Sequence, residues 1–121
     1  MTVRKILIVD DSPTERQILL EALSRQGYEC LTAVNGEEAV AKSKAELPDL
    51  ILMDVVMPGT NGFQATRTIS RDTATQHIPV ILCTTKSQET DKVWGMRQGA
   101  KGYLVKPINA KELLAKIAAL P

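Results

Sequence analysis

The sequence predicts an α/β domain built on a doubly wound, five-stranded parallel sheet with helices on both faces. Two features carry this expectation. Five short apolar runs alternate five times with segments of helical character, the order that builds a parallel sheet through right-handed crossovers. Several of those runs are also continuously apolar, as strands covered on both faces must be.

Taken in order, Lys5-Ile6-Leu7-Ile8-Val9 is the first strand, and it ends on Asp10-Asp11. Ser12-Pro13-Thr14-Glu15 then opens a helix with three agreeing signals: Ser at the N-cap, Pro at the first helical position and Glu at the third, completing a capping box. Ile18, Leu19, Ala22 and Leu23 form its apolar face, and Gly27 stands at the expected C′ position. A second strand, about Tyr28 to Ala33, leads through Asn35-Gly36 to a helix of about Glu37 to Glu46 that stops before Pro48. The third strand, Leu50-Ile51-Leu52-Met53, closes on Asp54. The segment Val55 to Gly62, with Pro58, Gly59 and Gly62, reads as a tight irregular turn before a helix of about Phe63 to Arg71. Pro79 to Cys83 is the fourth strand and ends on Thr84-Thr85; a helix of about Gln88 to Gln98 follows, closed by Gly99. Gly102 to Val105 is a short fifth strand ending on Lys106-Pro107. Asn109 caps a last helix, with Glu112 at the capping-box position, that runs to about Leu120 and ends at Pro121.

The chain of 121 residues has the size of one domain with one hydrophobic core, and it contains no repeat, linker or low-complexity stretch. Lys and Arg total 15 against 14 for Asp and Glu, a near-balance that argues against a general nucleic-acid or membrane-surface binder. The apolar runs are too short to span a bilayer and the amino terminus lacks a signal-peptide core, so a cytoplasmic protein is expected. Cys30 and Cys83 lie far apart, each in an apolar stretch, and read as reduced core thiols, with a regulatory disulfide as the minority alternative.

Function is legible where the strands end. A parallel sheet places all its carboxyl ends along one edge, which is where open α/β sheets hold ligands, so Asp10, Asp11, Asp54, Thr84 and Lys106 gather there. Taken alone, Asp54 reads rather as the N-cap of the next helix, and it is the other charged groups arriving at the same edge that overturn that reading. Three clustered carboxylates need a counter-charge, because like charges at close range raise one another's pKa. Oxygen ligands without His or Cys suit Mg²⁺, which keeps several waters and leaves room for a phosphoryl oxygen. Lys106 adds a mobile charge and Thr84 a hydroxyl, as a phosphoryl-receiving site requires. Lys106 reads equally as a salt bridge that quietens the acidic cluster, and the two roles are compatible.

Asp10-Asp11, Asp54 with Met57-Pro58-Gly59 and Gly62 behind it, Thr84, and Lys106-Pro107 together resemble a response-regulator receiver domain, and the resemblance covers the whole chain. Asp10 to Glu15, Asn61 to Arg67 and Thr84 to Gly95 are most similar to the single-domain regulators of type IV pilus twitching motility. The resemblance implies a flavodoxin-like fold with strand order 2-1-3-4-5. It implies Asp54 as phosphoacceptor, with a histidine kinase of chemotaxis or hybrid type as donor. Asp11, Asp54 and the main-chain carbonyl of Val56 would bind Mg²⁺, with Asp10 acting largely through water; Thr84 and Lys106 would hold phosphoryl oxygens, and Lys106-Pro107 would be a cis peptide. Movement of Thr84 would draw Tyr103 into the space it leaves, although Tyr103 reads equally as a ring covering the sheet edge. A downstream motility or pilus protein would dock on the face of the fourth helix, fifth strand and fifth helix, near Trp94, whose bland alternative is packing between helices. The same likeness places the chain in twitching motility, phototaxis or chemotaxis-like signalling. Val56 and Lys86 depart from the commonest polar choices beside the acceptor, and Val56 is expected to exclude water. His77 reads as an ordinary loop histidine.

With nothing after Pro121, a single receiver domain without an output domain is expected. Its alternatives are a phosphate sink, a degenerate receiver used as a binding scaffold, and a small α/β enzyme of another kind. Retention of Asp54 and Lys106 argues against the scaffold, and the lack of a Gly-rich loop after the first strand argues against a nucleotide enzyme.

Overall fold

The protein is described by a computed structural model covering residues 2–120, so the expected helix end at Pro121 lies outside the described residues. Five strands, β1 (Lys5–Val9), β2 (Glu29–Ala33), β3 (Leu50–Met53), β4 (Val80–Thr84) and β5 (Gly102–Val105), form one parallel sheet in the order β2-β1-β3-β4-β5. They alternate with α1 (Pro13–Arg25), α2 (Gly36–Glu46), α3 (Gly62–Arg71), α4 (Glu89–Arg97) and α5 (Ala110–Ala118). The doubly wound five-stranded fold read from the sequence, and its 2-1-3-4-5 order, are what the structure has.

Strand side chains point alternately to the two faces, and each face carries its own core. Ile6, Ile8, Leu50, Leu52, Ile81 and Leu104 pack with Leu19 and Leu23 of α1 and with Leu113 and Ile117 of α5. On the other face, Leu7, Val9, Ile51, Met53, Val80 and Leu82 pack with Ala39 of α2 and with Phe63, Ala65 and Ile69 of α3. β3 is buried along its whole length, as its uninterrupted apolar run requires.

Element ends differ from the sequence reading for local reasons. β4 begins at Val80 because Pro79 has no N–H to give the ladder, yet the Pro79 carbonyl still accepts from Ile51 N at 3.0 Å. α2 closes on Leu47, which adopts left-handed φ of 46° immediately before Pro48. Ile18 does not belong to the buried stripe of α1: it is 61% exposed, about 100° around the helix from Leu19, which with Leu23 makes the contact.

Two expected capping boxes form only by half. Ser12 Oγ accepts from Glu15 N at 3.3 Å, but the Ser12 N–H is taken by Asp10 Oδ1 at 2.9 Å and the Glu15 carboxylate is engaged elsewhere. Asn109 Oδ1 likewise accepts from Glu112 N at 3.0 Å without a return bond. A full box occurs instead at α3, where Asn61 Oδ1 accepts from Gln64 N at 2.9 Å and Gln64 Oε1 accepts from Asn61 N at 3.0 Å.

Both thiols are free, on strands separated by two others, which is roughly 14 Å at the usual strand spacing and too far for a disulfide. Cys83 is buried, and burial pushes its thiol up to about 12; Cys30 is only half-buried, so it is not the enclosed core thiol that its apolar neighbours suggested. No helix among the described residues is long and apolar enough to cross a membrane.

Candidate functional site

The carboxyl edge of β1 and β3 brings the acidic residues together. Asp54 N donates to Val9 O at 2.9 Å and Asp10 N to Ala33 O at 3.1 Å, so each aspartate continues the ladder by one rung before the chain turns away. Asp54 is not a helix cap: α3 starts eight residues later at Gly62, behind the Asn61 cap. Asp10, Asp11 and Asp54 each place a carboxylate oxygen within 4.8 Å of the others; Asp10 and Asp54 are buried and Asp11 is exposed. All the donors in this triad are carboxylate oxygens, and it opens to solvent on the Asp11 side. That combination fits a hard divalent cation that keeps part of its water shell. Beside it, the Val55 carbonyl accepts from Gly62 N at 2.9 Å, whereas no backbone N–H among the described residues is directed at the Val56 carbonyl.

Lys106 arrives from the end of β5, two strands away from β3, through the cis peptide to Pro107. Its backbone is tied to β4 by a bond from Lys106 N to Thr84 O at 2.8 Å. Its ammonium lies 2.8 Å from Asp10 Oδ2, 2.6 Å from Glu15 Oε2 and 3.4 Å from Asp54 Oδ1. Burial works against the ammonium, but hydrogen bonds to Asp10 and Glu15 and the charge of Asp54 outweigh it, so its pKa is raised. Asp54 is pushed up to about 6, first by burial and then by the Asp10 charge, with Lys106 pulling the other way. A cation added to this triad would meet an environment already short of positive charge.

Thr84 is fully buried at the end of β4, and its hydroxyl accepts from Lys86 N at 3.2 Å. Tyr103 is half-buried on β5, opposite Leu82, and donates from its hydroxyl to the Lys86 carbonyl at 2.7 Å. Thr84 and Tyr103 therefore hold the two sides of one residue, Lys86. On α4, Trp94 is 49% exposed beside Val93 and Met96, so it is not enclosed between helices. Val56, two residues beyond Asp54, is 55% exposed, and His77 is exposed in a loop.

Sequence reasoning missed the role of Glu15. Its position in an N-terminal turn was fully accounted for by capping, yet the helix starts at the same edge as the aspartates and aims the side chain at Lys106. A shared edge was the available signal. Arg16, next to it, donates from Nη1 to the Asp10 carbonyl at 2.7 Å and braces the same turn.

The family profile described as the response regulator receiver domain matches residues 6–118. Protein PilH of Pseudomonas aeruginosa is 56% identical over 116 residues, which is 96% of either chain. Among solved structures, the chemotaxis protein CheY4 of Vibrio cholerae superposes with a TM-score of 0.91 at 35% identity, covering 99% of this chain and all of that one. The receiver domain of the sensor histidine kinase PA1611 from P. aeruginosa, whose active-site cleft coordinates a magnesium ion, superposes at 0.87 with 28% identity over 96% of this chain and 95% of its own.

Proposed function

The chain belongs to the response regulator receiver domains, and from that membership we propose that it is a stand-alone response regulator which takes a phosphoryl group from a histidine kinase onto Asp54. The convergence of Asp10, Asp11, Asp54 and Lys106 at one edge carries this reading. An Asp54 oxygen attacks the phosphohistidine phosphorus; the O–P bond forms as the P–N bond breaks, and the imidazole leaves with a proton from solvent. Such transfers need alignment and charge neutralisation more than covalent help, and those are the parts this edge supplies.

Each side chain has a task in that scheme. Asp11, the Asp54 carboxylate and the Val56 carbonyl would hold Mg²⁺, with Asp10 acting largely through a bound water. When bound, the ion supplies positive charge to the incoming phosphoryl oxygens. Lys106 grips one phosphoryl oxygen and the Thr84 hydroxyl turns toward another. That turn releases Lys86 N, and because Tyr103 holds the Lys86 carbonyl, the two move together as a two-state element. The readout face lies on α4, β5 and α5, where Val93, Trp94 and Met96 are exposed for a downstream protein. Likeness to PilH supports a motility or pilus partner, in the cytoplasm, with this one domain acting alone.

Incubation with acetyl phosphate and Mg²⁺, read by intact mass, tests the reading. Wild type gains one phosphoryl group, whereas Asp54→Ala and the EDTA-treated protein gain none. Equal modification of Asp54→Ala, or none of wild type, refutes it.

A further inference from the structure

We infer that Glu15 is an internal competitor for Lys106: its carboxylate occupies the ammonium in the unphosphorylated protein and must yield it to the phosphoryl oxygen. This rests on the phosphoacceptor reading above. An ammonium has three N–H donors, and Lys106 already faces three carboxylates, at 2.6 Å for Glu15, 2.8 Å for Asp10 and 3.4 Å for Asp54. Asp10 and Glu15 take two of its donors in hydrogen bonds, and the third faces Asp54 only at 3.4 Å. To draw in close on a phosphoryl oxygen at Asp54, the ammonium has to loosen one of those two hydrogen bonds.

Glu15 is the partner able to go. The Asp10 side chain is only 2% exposed and is also fixed by Ser12 N, while Asp54 carries the phosphoryl group itself. The Glu15 side chain is 43% exposed, and among the described residues its carboxylate accepts from Lys106 alone. It also lines a groove of about 180 Å³ between α1 and α5, together with Ile18, Leu19, Ile108 and Leu113, which gives it space to swing without disturbing the core. Released there, the carboxylate regains water, so its departure costs far less than exposing the buried charge of Asp10 would. Glu15 is thus a positioning residue: it neutralises Lys106 at rest and sets how hard the phosphoryl group must compete.

Binding of beryllofluoride, a phosphoryl mimic, at saturating Mg²⁺ by isothermal titration calorimetry tests this, with thermal melts to confirm folding. Glu15→Gln weakens the competing ion pair and tightens mimic binding about three- to tenfold, the scale of one exposed charge-assisted contact. Glu15→Asp keeps the charge on an arm too short for the 2.6 Å contact, and it tightens binding as well. Weaker or unchanged binding by Glu15→Gln overturns the proposal, the first because Glu15 would then be supporting Lys106. Tightening by Glu15→Gln alone overturns it too, since a field effect would suffice. Failure of wild type to bind the mimic at all would instead sink the phosphoacceptor reading.

Discussion

A Cβ built on Gly62 would lie 2.0 Å from the Asp54 carbonyl oxygen and 2.8 Å from the Val55 Cα, so the loop after β3 folds back on itself so closely that only hydrogen fits. Gly62 N completes the closure by donating to the Val55 carbonyl. Gly62→Ala must therefore shift the backbone that carries Asp54: thermal or urea unfolding should show a loss of about 1–3 kcal/mol, and acetyl phosphate labelling of the folded fraction should fall as well. Val56, inside the same loop and 55% exposed, offers an approaching water an isopropyl group and no hydrogen bond. Val56→Asn would add an amide able to orient that water, so phosphate loss from labelled protein, timed by intact mass, should quicken several-fold; an unchanged lifetime would remove Val56 from the control of hydrolysis.

Elements are held at the far end of the sheet by one side chain that was not singled out from sequence. Asp49 Oδ2 accepts from Arg4 N at 3.0 Å and Lys5 N at 2.9 Å, tying the entry of β3 to that of β1. The Lys5 N–H bond, with smaller help from Arg4 and the Lys5 charge, holds its carboxyl below the ordinary carboxylate range, even against some burial. A carboxyl whose pKa is lowered by folding stabilises the protein above its unfolded pKa and loses that contribution as pH falls through the folded value. Asp49→Ala should thus lower stability by about 1 kcal/mol at neutral pH, and urea titrations should show the gap narrowing below about pH 4. At the site end, Glu37 Oε1 accepts from both Thr60 N and Thr60 Oγ1, clamping the first turn of α2 to the loop that carries Val56. The order and type of all ten elements were legible because caps, glycine stops and apolar runs are local signals. The side-chain bonds were not. Ser12, Asp10 and Glu15 could pair in more than one way, and the choice was made by Lys106, which lies 91 residues beyond Glu15 in the chain.

At the scale of the molecule, parallel topology made the aspartates, Thr84 and Lys106 readable as one edge before any distance was known, while Glu15 needed the three-dimensional path of α1. The same topology concentrates three carboxylates, Asp10, Glu15 and Asp54, around the ammonium of Lys106, with Asp11 beside Asp10 and Asp54. The two cores that sandwich the sheet do not include that cluster, so the fold does not depend on a cation even though the edge is strained by like charge. Removing metal with EDTA should leave the protein folded, with a cooperative melt. Mg²⁺ at ten times its Kd should then stabilise the native state by about 1.4 kcal/mol, or roughly 5 °C in Tm for a chain of this size. Asp54→Ala should melt above metal-free wild type, because a buried carboxylate facing Asp10 is gone, and it should gain less from Mg²⁺ because one ligand is gone with it. These two shifts have opposite signs in one variant, which a nonspecific salt effect does not produce. Differential scanning calorimetry of both proteins with EDTA and with Mg²⁺ separates them, and an equal Mg²⁺ gain in wild type and Asp54→Ala would mean that the ion binds elsewhere.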